Sequence, residues 1–182
     1  MGAPEHEDDH RPGTDASHLV VLGGRSGVGK TTTALALHAL LRADDVRHAV
    51  VEGDNLDLAW PPPWEHGLDL RNLAAVWANY RELGYRRLVY TNTVSVLAAG
   101  ALAAAMGDSP AVTAVLLTGA DDVVDARLAT RETGAELAAH RERSAAAARR
   151  LDAEAPAGTH RIATEGLTPQ ELAARVRALA GW

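Results

Sequence analysis

LVVLGGRSGVGKTTTALALHALL, residues Leu19 to Leu41, opens as a strand and closes as a helix. The branched run Leu19, Val20, Val21 and Leu22 ends in glycine, and beyond it Ala34, Leu37, His38 and Leu41 fall on one face at helical spacing. Between them Gly24-Arg25-Ser26-Gly27-Val28-Gly29-Lys30-Thr31 satisfies G-x-x-x-x-G-K-[ST] at every fixed position. Glycines let successive backbone N–H groups point inward, so the loop and the helix start behind it, through Thr32, form a cradle for phosphate oxygens. Lys30 is placed to reach the β- and γ-phosphates, and the Thr31 hydroxyl to take a position on Mg²⁺. The plain alternative, a glycine-rich turn with an exposed lysine, does not require this whole pattern in a strand-then-helix setting.

Working outward, 182 residues suit one α/β domain with a full core. A net charge of −6 argues against a nucleic-acid surface, which needs clustered cations. Lys30 is the single lysine of the chain, and cysteine is absent, which excludes disulfides and thiolate metal sites. No secretory h-region and no long apolar run stands out, so a cytoplasmic protein away from membranes is expected, monomeric or homodimeric.

Residues 1–17 mix Gly, Pro, His and acids without periodicity and read as a disordered tail, which leaves 18–182 as the domain. His6, His10 and His18 lack metal-ligand spacing. A second strand, Arg47 to Glu52, follows at the distance of a βαβ unit and runs into Gly53-Asp54-Asn55. Ligands of open α/β sheets bind at the carboxyl ends of strands, so Asp54 is expected to face the phosphate loop across one crevice. The segment 55–72, with Trp60-Pro61-Pro62-Pro63-Trp64, cannot form regular structure and reads as a stiff aromatic flap beside an acceptor, or as a rigid crossing packed on the core. Asn55, Trp60, Trp64 and Arg71 are its candidate acceptor contacts.

A helix is expected from Asp69, as N-cap, to Leu83; a third strand over Arg86 to Thr91; and a helix from about Val94 to Met106. Ala111 to Thr118 reads as a fourth strand buried on both faces. The helix starting near Asp121 carries Arg127 and Arg131 on one face, and Gly134 is expected to end or loosen it. Another helix spans roughly Ala138 to Ala153, His160 to Thr164 makes a fifth strand, and Thr168 with Glu171 forms a capping box for the last helix. This alternation predicts a three-layer, doubly wound sheet of five parallel strands.

A phosphate cradle, a carboxylate at a strand end and paired arginines suit phosphoryl transfer, which needs positioning and positive charge more than covalent chemistry. Asp54 can accept the proton of an acceptor hydroxyl or hold the metal through water. Arg127 and Arg131, in a lid over 127–140, can steady transition-state charge; the bland reading is a solvated face paired to Asp125 and Glu132.

Phosphate loop, Gly-Asp after the second strand, and R-L-x-x-R-x-x-G at Arg127, Leu128, Arg131 and Gly134 together resemble the P-loop small-molecule kinases. That superfamily includes nucleoside monophosphate kinases, shikimate kinase, gluconate kinase and chloramphenicol phosphotransferase. The resemblance implies ATP and Mg²⁺ as cofactors, Asp54 on acceptor or metal, lid arginines at Arg127 and Arg131, and Thr164, Glu165 and Gly166 along the adenine. Two departures stand out. The third strand ends Tyr90-Thr91-Asn92-Thr93, without the later carboxylate that many such enzymes use, so metal binding falls to Thr31, Asp54 and the nucleotide. The Trp-Pro-rich flap is foreign to the group and poor in cations, which turns the expected acceptor from a nucleoside monophosphate toward a small hydroxylated or partly aromatic compound.

Three functions follow: an ATP-dependent kinase for a small metabolite or antibiotic, an ATP hydrolase without organic acceptor, and a non-catalytic ATP-binding regulatory module. A GTPase is disfavoured because no N-K-x-D sequence occurs.

Overall fold

The computed structural model describes residues 16–130 and 133–182. Five strands, β1 (His18–Gly23), β2 (Ala49–Glu52), β3 (Arg87–Thr91), β4 (Ala111–Thr118) and β5 (His160–Ala163), form one parallel sheet in the order β2-β3-β1-β4-β5. Helices α1 (Lys30–Ala43), α2 (Leu68–Glu82), α3 (Ala99–Met106), α4 (Asp121–Ala129), α5 (Gly134–Glu154) and α6 (Pro169–Ala180) connect them. This is the doubly wound sheet that the alternation of patterns predicts.

Strand β1 shows why. Its side chains alternate, and from Leu19 to Leu22 both sets are apolar and fully buried. Val20 and Leu22 join Leu37 and Leu41 of α1 and Leu172 and Val176 of α6 on one face of the sheet. Leu19 and Val21 join Leu73 and Trp77 of α2, Leu102 of α3 and Leu151 of α5 on the other. Two cores therefore share one strand. From β1 the chain runs through α1 to the edge strand β2, returns through α2 to β3 beside β1, then crosses to β4 on the opposite side. The crevice opens where the two directions part, at the carboxyl end of β1.

Several boundaries differ from the sequence pattern, each for a local reason. Ser17 does not belong to a tail: it is buried, and its hydroxyl donates to Asp108 Oδ2 at 2.6 Å. His6 and His10 lie outside the described residues. His18 is built into β1, accepting at Nδ1 from Trp182 Nε1 (3.1 Å) and meeting Thr113 Oγ1 (2.9 Å) through Nε2; burial, then Arg87, lowers its pKa. Asp69 is not the N-cap of α2: Gly67 takes that position in the left-handed conformation, and Asp69 sits in the first turn, where the helix dipole favours it. Before α3 a 3₁₀ turn, Ser95–Ala98, intervenes because Asn92 draws Val94 N–H to its side chain and Ser95 Oγ to its carbonyl. Val112 is exposed because β5 pairs with β4 only from Val115 onward. Gly134 does not close the helix that begins at Asp121. That helix stops at Ala129, with Thr130 Oγ1 bonded to Arg127 O, and Gly134 opens α5 with φ of 64°. The capping box of α6 forms as expected: Glu171 N–H reaches Thr168 Oγ1, and the Glu171 carboxylate accepts from Thr168 N–H.

Candidate active site

Glycine is demanded where β1 turns into the loop. Gly24 has φ of 145°, and a Cβ there would lie 2.6 Å from Leu117 O of β4. Its N–H is held by Thr93 O at 3.0 Å, which ties the loop to the end of β3. Gly29, also at positive φ, is the N-cap of α1, and Thr33 N–H makes the first bond back to Gly29 O. The N–H groups of Lys30, Thr31 and Thr32 therefore open the helix without intrahelical acceptors and point out of its N-terminus. Lys30 Nζ folds over this cradle, 3.3 Å from Arg25 O.

A cleft of about 410 Å³ lies above the loop, bounded by Ser26, Gly27, Gly29, Lys30, Thr31 and Thr32 on one side and by Glu52, Asp54, Asn55 and Thr93 on the other. Leu128 and His140 close it from the helical side. Asp54 thus faces the phosphate loop as its place after β2 predicts. Asn92 Nδ2 donates to Asp54 Oδ1 at 2.6 Å and fixes the carboxylate. Burial, then the charges of Glu52 and Asp57, push its carboxyl above the ordinary range, while Lys30 pulls it down. Beneath it the Tyr90 hydroxyl is pushed up to about 12 by burial and by Asp69, Asp54, Asp57 and Glu52. This side of the cleft is electronegative.

Glu52 is the residue that sequence reasoning overlooked. Its carboxylate accepts from Thr31 Oγ1 at 2.9 Å, beside the position expected to hold a metal. The signal was present, since Glu52 is an acid at the carboxyl end of an otherwise apolar strand. Thr91 Oγ1, buried and without a hydrogen-bond partner in the protein, belongs to a neighbouring cavity of about 480 Å³ that Thr31 and Glu52 also line, and does not border the phosphate-loop cleft. The Thr31 hydroxyl and the Glu52 and Asp54 carboxylates, which line the phosphate-loop cleft, are oxygen donors that a hydrated Mg²⁺ would use. Among the described residues no three His, Cys, Asp or Glu side chains could hold a metal by themselves. Phosphate oxygens of a nucleotide would complete such a shell, so the residues present fit a Mg–nucleotide complex. The carboxylate that many such kinases place at a later strand end is absent from β3, as its sequence predicts, and Glu52 puts one at the end of β2.

Other expected contacts are redistributed. Arg25, assigned to the phosphate cradle, turns its side chain away and is only 4% exposed, held among Ser144, Asp121 and Asp125. Arg127 lies across the back of the loop, its NH1 3.3 Å from Val28 O. Arg131 lies outside the described residues. A second cavity, about 270 Å³, continues from Gly29 and Thr32 past Arg127 to Leu167, Pro169 and Leu172. None of Thr164, Glu165 and Gly166, the residues expected along the base, lines it: Thr164 is buried, and its N–H bonds to Thr118 O. The Glu165 carboxylate is engaged by Ala120 N–H, which with its own N–H lowers its pKa. Gly166, at φ of 71°, makes the turn that brings Leu167 to the wall. Trp60 and Trp64 are 91% and 76% exposed and stand outside the cleft with Arg71, which is also exposed; of the flap, Asn55 reaches the lining.

No family model matches the chain, and no curated protein matches it. Solved structures do. The tunicamycin resistance protein of Deinococcus radiodurans is 23% identical, with a TM-score of 0.62 over 91% of this chain and 96% of that one. A gluconokinase from Sinorhizobium meliloti is 19% identical, with a TM-score of 0.54 over 90% and 94%. The APS kinase of Mycobacterium tuberculosis, solved with AMPPNP and APS, is 18% identical, with a TM-score of 0.51 over 92% and 99%. At these identities the likeness is one of fold, and this chain has the fold of the P-loop small-molecule kinases.

Proposed function

We propose that this protein is an ATP-dependent phosphotransferase that moves the γ-phosphoryl group of ATP to a hydroxyl of a small metabolite or antibiotic. The observation that carries the reading is the placement of Asp54 opposite Lys30 and the phosphate loop in one cleft. Hydrolysis or nucleotide sensing alone does not call for a half-buried carboxylate with a raised pKa, oriented by Asn92, facing a donor cradle. In this role Asp54 orients the acceptor hydroxyl and takes its proton. Lys30 and the N–H groups at the start of α1 bind the donor phosphates, and Arg127 adds positive charge from the far side of the loop. Thr31 and Glu52 would hold Mg²⁺, which supplies charge neutralisation at the phosphates. The electronegative wall of Glu52, Asp54, Asp57 and Asp69 argues for an uncharged or cationic acceptor over an anionic one.

The test is ADP formation from MgATP with and without candidate acceptors. Tunicamycin, the compound in the name of one structural neighbour, belongs in the first set beside uncharged hydroxylated metabolites, with gluconate and APS as anionic comparators. Stimulation by an acceptor, with phosphate recovered on its hydroxyl, is the expected result. Tight ATP binding that no acceptor converts into turnover would leave a binding module. Lys30→Ala is expected to lower turnover by about 10²-fold or more with an unchanged circular dichroism spectrum.

A further inference from the structure

Arg25 occupies a variable position of the phosphate loop, where a surface-facing side chain would serve the motif equally well. Instead its guanidinium is almost wholly buried and reaches two helices at once. Nε donates to Ser144 Oγ of α5 at 2.8 Å, NH1 pairs with Asp121, and NH2 lies 3.7 Å from Asp125. Asp121 and Asp125 are one turn apart on α4, so the arginine grips that helix along its axis. Ser144 is buried as well, and its hydroxyl donates a hydrogen bond to Ser26 O at 3.0 Å, so α5 holds both the Arg25 side chain and the backbone of the next residue. The contact continues through packing. Gly27 lies against Val124 and Leu128 so closely that a Cβ would come within 3.1 Å of each. Two residues beyond Asp125 on the same short helix stands Arg127, whose guanidinium reaches Val28 O.

A buried cation needs matched partners, and an arginine's planar fork can satisfy a hydroxyl and two carboxylates that a point charge cannot. We infer that Arg25 is a positioning residue: it touches no phosphate, and through Asp121 and Asp125 it sets the height of α4 above the loop and thereby aims Arg127 at the donor phosphates. The inference rests on the nucleotide reading of the site.

A double-mutant cycle tests it. AMPPNP affinity is measured by calorimetry, and kcat for ADP release from MgATP is measured for wild type, Arg25→Lys, Arg127→Ala and the double variant. Arg25→Lys is expected to lower kcat about tenfold while AMPPNP affinity stays within about threefold, and to cost less than about twofold once Arg127 is gone. Ser144→Ala, which removes one partner and leaves the charge in place, should act in the same direction and less, and it carries the cycle should Arg25→Lys fail to fold. Multiplicative losses would show that Arg25 does not work through Arg127 and would overturn the inference. So would a tenfold loss of AMPPNP affinity, the mark of a direct phosphate contact, or a lowered Tm with unchanged kcat, the mark of a purely structural knot. Wild-type protein that binds no AMPPNP would overturn the nucleotide reading itself, and the inference would fall with it.

Discussion

Asp54 carries opposing demands. Half-buried beside Glu52 and Asp57, its carboxyl holds a proton above the ordinary value near ~3.9. The folded state binds that proton more tightly than the unfolded chain does, so the associated stability is present at low pH and is lost as pH rises through the folded value. A base must work in its ionised form, so in the proposed role Asp54 would act on the side of its titration where it weakens the fold. Asp54→Asn should therefore lower turnover by about 10²-fold or more while raising Tm at neutral pH. The Tm difference should shrink as pH falls below the ordinary carboxylate range, where wild-type Asp54 is protonated too. Thermal scans at neutral and at acid pH check the sign, and the acid limb of the wild-type rate profile should lie above the usual carboxylate range. At this scale the sequence was uneven. The phosphate loop was legible because its constraint is local, a run of eight residues whose backbone must curl. The direction of Arg25 and the meeting of Thr31 with Glu52 were not, because each depends on residues brought close only by the sheet.

Elements were legible wherever apolar pattern and length agreed, as in β1, β4 and α6. They were less so where polar side chains redirected the backbone, as Asn92 does before α3 and Thr130 after α4. Asp108 shows what pattern cannot convey. It follows α3 in what reads as an ordinary Gly-Asp-Ser-Pro turn, yet it accepts from Ser17 Oγ, Trp77 Nε1 at 3.2 Å and Arg81 Nε at 2.9 Å. One carboxylate thus joins the chain before β1 to α2. Asp108→Ala would strip a largely buried indole N–H and a guanidinium of their acceptor and is expected to cost about 2–3 kcal/mol. Removing the exposed Arg150–Glu154 pair should cost only about 0.3–0.5 kcal/mol. Urea denaturation of the two variants would compare them directly; equal losses would show that Asp108 is no more than a surface turn residue.

For the whole molecule, a parallel, doubly wound sheet could be read from the alternation of strands and helices, though not its order β2-β3-β1-β4-β5, which sets β3 rather than β2 beside β1. The acceptor region could not. The rigid Trp-Pro segment has no periodicity to read, and it projects Trp60 and Trp64 away from the cleft. Among the described residues no helix is long and apolar enough to cross a membrane. Because a nucleotide would bind only the assembled crevice, MgATP at about 100 times its Kd should stabilise the fold by about 2.7 kcal/mol, a Tm rise of roughly 5–10 °C. That rise should shrink when EDTA removes the metal and disappear in Lys30→Ala. Differential scanning fluorimetry is sufficient to measure it.

The lone lysine has a chemical consequence of its own. With 17 arginines and one Lys in the chain, the only ε-amine is the one curled over the cradle beside Arg25 O. A reductively alkylating reagent therefore has one side-chain amine to modify in the protein, and that amine lies at the proposed donor site. Stoichiometric labelling at Lys30, blocked by bound nucleotide, would convert an enzyme question into a counting experiment by mass spectrometry. The same singularity makes coupling through a side-chain amine, elsewhere spread over many lysines, a modification directed at the phosphate loop here.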